Sequence, residues 1–160
     1  MQKVTIVSVG RLKENYLRDA CSEYIKRLSG YCSLTIVELD PEKIPEKPSP
    51  LQLQNVIAKE GKKILGKIPT GAMLVSMCIE GKLLSSTELA EKIEFSAVGS
   101  FSNICFVIGG SYGLSKKVKD ISHFKLSMSP MTFPHQLARV MLLEQIYRSF
   151  KIIEGSSYHK

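Results

Sequence analysis

With 160 residues, 44% of them hydrophobic and 23% charged, the chain has the proportions of one globular domain and excludes disordered and fibrous classes. Twenty-two Lys and Arg against fifteen Asp and Glu leave a net charge of +7, which favours polyanionic partners, nucleic acid first, although the same excess also serves solubility. Four cysteines without C-x-x-C spacing and no apolar run near about 18 residues argue against a metal cluster, disulfide staples, a secretory leader or a membrane span. They point to a reducing cytoplasm.

Residues 3–10, KVTIVSVG, are β-branched and closed by Gly10, the pattern of a strand buried on both faces. From Lys13 to Leu28, the apolar positions Tyr16, Leu17, Ala20, Tyr24 and Leu28 recur at helical spacing, with Gly30 just beyond. A second strand, SLTIVEL (33–39), leads into DPEKIPEKPSP (40–50), whose four prolines cannot ladder or coil. That loop is a solvated connector or a cover over a site.

Ser49, Pro50 and Gln52 predict a capped helix start, and Leu53, Val56, Ile57, Ile64, Leu65 and Ile68 mark its buried stripe. Lys59, Lys62, Lys63 and Lys67 lie off the stripe, as a solvated face or a phosphate track. A third strand, AMLVSMCI (72–79), is expected to turn at Gly81-Lys82. Ser85 with Glu88 caps the helix through Leu89 and Ile93, and NICFVIGG (103–110) is a fourth strand. Alternating strands and helices with continuous apolar strands predict a single-domain α/β fold over residues 1–160, a parallel sheet with helices on both faces.

Ligands of such sheets bind beyond the strands' carboxyl ends, which selects the segments after Cys78 and Ile108. VIGGSYGLS leaves its strand through Gly109 and Gly110, reaches Gly113 and restarts a helix near Ser115, either as a tight turn or as a backbone cradle for a ligand. It is not a dinucleotide fingerprint, since no Asp or Glu follows about 20 residues later, and no G-K-[ST] marks a Walker loop. Without paired carboxylates for Mg²⁺ near that loop, nucleotide hydrolysis is disfavoured.

A brief strand at 124–127 and a stiff, proline-bearing loop precede a long helix expected to begin at Pro134. Its apolar residues Leu137, Val140, Met141, Leu143, Ile146, Tyr147 and Phe150 exceed one stripe, so it packs against the sheet and against something else, a second subunit or an inner element. His135 with Arg139, and Glu144 with Arg148, each share a face. The first pair could meet a phosphate or a base.

FVIGGSYGLS, LSMSPMTFPHQLARVMLLEQIYRSFKI and the closing Tyr158-His159-Lys160 together resemble the RlmH family, small SPOUT methyltransferases of large-subunit ribosomal RNA. The likeness runs nearly end to end, through VGRLKE and EGKLLSS. The resemblance implies a C-terminal trefoil knot, a homodimer, S-adenosylmethionine as donor, and N3 of a pseudouridine in the helix 69 loop of 23S rRNA as acceptor on assembled ribosomes, with no metal and no membrane. It places cofactor contacts at Met77, Gly109, Gly110, Met128, Ser129, Pro130, Met131, Thr132 and Phe133. Side-chain chemistry adds an expected catalytic group at His159, Tyr158 and Arg148, with His135, Arg139 and Lys160 toward RNA. On that reading His159 assists N3 deprotonation, Tyr158 stacks or hydrogen-bonds the base, and Arg148 orients a uracil carbonyl or a phosphate. A ribosome-binding protein without chemistry is the alternative reading.

Overall fold

The computed structural model describes residues 1–160. Its strands are β1 (Gln2–Val9), β2 (Cys32–Leu39), β3 (Ala72–Leu83), β4 (Asn103–Ile108) and β5 (Phe124–Ser127). All pair in parallel in the order β2-β1-β4-β3-β5. The helices are α1 (Asn15–Leu28), α2 (Pro50–Leu65), α3 (Ser86–Val98), α4 (Lys116–Ile121) and α5 (His135–Ile153). Side-chain alternation sorts the strands' residues into two cores. Val4, Ile6, Val75, Ile104 and Phe106 meet α1, α3 and α5, whereas Val7, Val9, Leu74, Cys105 and Val107 meet α2 and α4. Each such residue withdrawn from water contributes about 1.5–3 kcal/mol, which makes central β1 and β4 the rigid floor of the molecule.

Both predicted capping boxes form. Ser49 Oγ accepts from Gln52 N at 3.2 Å, Ser85 Oγ accepts from Glu88 N at 3.1 Å, and each partner side chain accepts from the cap's own N–H. The predicted α2 stripe also turns inward, but it carries an unexpected member: Glu60, four residues from both Val56 and Ile64, is only 5% exposed.

β2 is half exposed, since it is an edge strand. Three expectations change. Tyr16 is 69% exposed, because the face of α1 that reaches the core runs through Leu17, Cys21 and Leu28. β3 does not end at Gly81-Lys82: it shifts register after Met77 and pairs again with β5 at Lys82 and Leu83. Pro134 is the N-cap of α5, with extended backbone, and helical geometry begins at His135. The second apolar side of α5 is met within the chain, where α1 and α3 flank it, so its breadth alone does not call for a second subunit.

Candidate functional site

Three chain segments wall a cleft of about 880 Å³ at the carboxyl edge of β3, β4 and β5. The first is the end of β3, with Met77 and Cys78; the second is the turn from Gly109 to Leu114; the third is Ser127 to Pro134. The first turn of α5 closes it with His135 and Ala138. Of the nine cofactor positions expected from the resemblance, all but Pro130 line this space.

The glycine turn owes its shape to close approach. A Cβ at Gly109 would sit 2.8 Å from the carbonyl carbon of Gly113, and Gly113 itself has a φ of +86°. Gly110 lies against the buried Glu60 carboxylate, 3.1 Å from the position its Cβ would take. Glu60 Oε2 in turn accepts from the backbone N–H of Glu42 at 3.0 Å, and Lys63 Nζ reaches Asp40 O and the Glu42 carboxylate. These contacts fasten the start of the proline-rich loop to α2, and no residue of 40–50 lines the cleft. Burial raises the pKa of Glu60 above the ordinary 4.5. The sequence signal for Glu60 was a charged residue in register with an apolar stripe.

In the third wall, Ser129 Oγ accepts from Met131 N at 2.9 Å and Ser127 Oγ donates to Ser129 O at 3.0 Å, a hydrogen-bonded turn that sets the loop. His135 rests on Gly10, whose φ is +106°; a Cβ there would fall 2.9 Å from Nε2. Burial, then Arg139 and Lys13, lower the pKa of His135, so the imidazole facing the cleft is neutral.

Arg139 is not the RNA contact expected from its spacing. Its side chain is 3% exposed, with Nη1 2.7 Å from Glu38 Oε2 and Nη2 3.1 Å from both Ser8 Oγ and Gly10 O. Helical periodicity places it one turn from His135 but on the inward side, where it ties α5 to the ends of β1 and β2. Only tertiary packing separates the two.

The tail forms a second cluster. Tyr158 OH donates to Glu144 Oε1 at 3.0 Å, and its ring lies under the Arg148 guanidinium at 4.8 Å. Arg148 Nη2 meets the same Glu144 oxygen at 2.8 Å. Burial and the Glu144 hydrogen bond raise the Tyr158 pKa, so its phenol keeps the proton it donates. Arg148 Nη1 stands 3.2 Å from His159 Nδ1. A guanidinium only donates, so Nδ1 accepts and the neutral ring carries its proton on Nε2. In this pose His159 offers a donor rather than a base.

None of Arg148, Tyr158, His159 or Lys160 lines the cleft. Arg148 lies thirteen residues along α5 from His135, roughly 20 Å at the helical rise. The glycine turn and the proline segment therefore converge within one chain, and the C-terminal tripeptide does not join them there.

The molecule is thus of the open α/β class, which takes its ligands beyond the strands' carboxyl ends, where this glycine-walled cleft stands. The family described as "Predicted SPOUT methyltransferase" matches residues 2–159. Ribosomal RNA large subunit methyltransferase H of Carboxydothermus hydrogenoformans is 48% identical over 158 residues, 99% of each chain. Proteins of the same name from Clostridioides difficile and Clostridium acetobutylicum are 50% and 52% identical, each over 98% of this chain and 99% of theirs. A solved structure titled as a probable methylase family protein from Haemophilus influenzae aligns with a TM-score of 0.57 at 13% identity, over 99% of this chain and 71% of that one, a likeness of fold. The chain belongs to the SPOUT methyltransferase family and is a methyl-transferring enzyme. No helix is long and apolar enough to cross a membrane, and no three His, Cys, Asp or Glu side chains are grouped to hold a metal ion.

Proposed function

We propose that the protein transfers a methyl group from S-adenosylmethionine to N3 of a pseudouridine in the helix 69 loop of 23S rRNA, acting in the cytoplasm on assembled ribosomes as a homodimer with a knotted C-terminal region. The observation that carries the reading is the cleft itself, where eight of the nine expected donor positions line one space in a chain about half identical, end to end, to proteins named as large-subunit rRNA methyltransferases.

The lining fits such a donor. Met77, Met128 and Phe133 offer apolar contact for a flat ring, and the glycine turn and the 127–134 segment bring backbone close to it. When bound, the donor supplies an electrophilic methyl on a sulfonium. The protein's share is alignment and exclusion of water. The imide nitrogen attacks only after its proton has passed to water or to a side-chain base, and charge then develops on the flanking carbonyl oxygens. Arg148 and the Nε2–H of His159 are suited to stabilise those oxygens, with Tyr158 placed to hold the ring; if His159 is itself the base, it must first release Nδ1 from Arg148.

Arg148 lies about 15 Å along α5 from Ala138, the last residue of the helix at the cleft, and no tail residue lines that cleft, so a second copy is the natural source of the tail that completes each site. The +7 charge supports RNA binding that weakens steeply with salt. The deciding experiment incubates ribosomes lacking the modification with labelled donor and maps the label. A label on N3 of the helix 69 pseudouridine is expected, and label elsewhere overturns the assignment.

A further inference from the structure

The donor's ribose needs polar partners, and the acidic residue that dinucleotide folds place about 20 positions beyond their glycine turn is missing from this sequence. The fold supplies a carboxylate from the neighbouring strand. β3 pairs with β5 through Met77, slips register, and resumes at Lys82, which lifts Cys78 to Gly81 out of the ladder. Irregularities of this kind re-aim side chains beside sites. This one depends on glycine, since a Cβ at Gly81 would fall 2.7–2.9 Å from the backbone of Lys125 and Leu126.

The lifted segment carries Glu80 to the cleft wall, where Lys119 of α4 meets it with Nζ 2.5 Å from Oε1. Glu80 is the cleft's only carboxylate and Lys119 its only ammonium. The hydrogen bond from Lys119 is the main cause of a lowered Glu80 pKa, so the carboxylate is ionised at neutral pH.

We propose that Glu80 and Lys119 form the ribose clamp of the methyl donor, with Glu80 accepting from the vicinal hydroxyls and Lys119 donating to one of them. This rests on the donor reading above. A hydroxyl both donates and accepts, so a diol adds to the ion pair without dissolving it. An ammonium–carboxylate end would have to part the two side chains and replace each partner. Hydrogen bonds to an ionised carboxylate are also the stronger kind, which suits a rim that is open to water.

Calorimetry on the intact protein separates the possibilities, using S-adenosylhomocysteine, 5′-methylthioadenosine, which lacks the amino-acid end, and the dideoxy analogue of the latter, which lacks the diol. Glu80→Gln is expected to weaken the first two about tenfold alike and leave the third unchanged. Equal weakening of all three would mean general distortion, and weakening confined to S-adenosylhomocysteine would assign the pair to the amino-acid end; either overturns the clamp. If Glu80→Gln does not fold, Glu80→Asp carries the same comparison. Failure of the wild-type protein to bind S-adenosylhomocysteine at all would instead sink the donor reading.

Discussion

At its first turn α5 sets His135 and Ala138 against the cleft; further along the same helix, Glu144 and Arg148 hold the tail. The cleft end is made largely of backbone turns and apolar side chains at the ends of β3, β4 and β5, with buried β4 between the other two, and its shape follows from packing. The tail end is made of polar side-chain contacts on partly exposed atoms, with His159 itself exposed. Rigid construction suits a pocket that must hold a donor in one pose, whereas a surface cluster with modest local energies can be reorganised when RNA or another subunit arrives.

Removing Tyr158 to Lys160 should expose this difference most sharply. Methylation in a single turnover is expected to fall about 10²-fold or more while donor affinity by calorimetry stays unchanged. A mixture of that truncation with a variant whose cleft is filled from α5, Ala138→Trp, should regain activity if the site is shared between copies, and no recovery would confine the tail to its own chain.

Arg139→Ala tests the joint between the two ends. It strands Glu38 and releases the first turns of α5 from β1, so a loss of about 3 kcal/mol, or roughly 10 °C in Tm, is expected in thermal unfolding. Gly81→Ala strikes the cleft end alone, because the new Cβ forces β3 from β5. Donor affinity should drop about tenfold, with the Glu144–Tyr158 cluster untouched.

The smallest expected effect is a matter of sign. The folded chain holds the Glu60 proton more tightly than the unfolded chain, so the contribution of Glu60 to stability is fully present in acid and is lost as pH rises above the ordinary 4.5 through the raised folded value. Glu60→Gln, which still accepts from Glu42 N, should therefore be more stable than the wild-type protein near neutral pH, and the advantage should fade in acid. A larger advantage in acid than at neutrality would contradict the placement of Glu60 under Gly110.

Local chemistry made much of the architecture legible. Strand order along the chain, both capping boxes and the α2 stripe follow from nearest-neighbour spacing, which the backbone obeys wherever it is placed. The two cleft walls were readable for a related reason: glycine and proline restrict or free the backbone at their own positions. His135 and Arg139 show where such reading stops, since one turn of helix separates a residue at the cleft from one locked beneath it.

By itself, the sequence determined the alternation of strands and helices and the glycine and proline segments that follow the strands, because these depend on interactions within a few residues, and the continuous apolar strands then left a parallel sheet as the arrangement that buries them. Tertiary structure alone decided that Arg139 is internal, that Glu60 lies beneath Gly110, that β3 slips to present Glu80, and that the tail stands apart from its own cleft. Each of these depends on the distance between elements far apart in the chain, and periodicity carries no information about that distance.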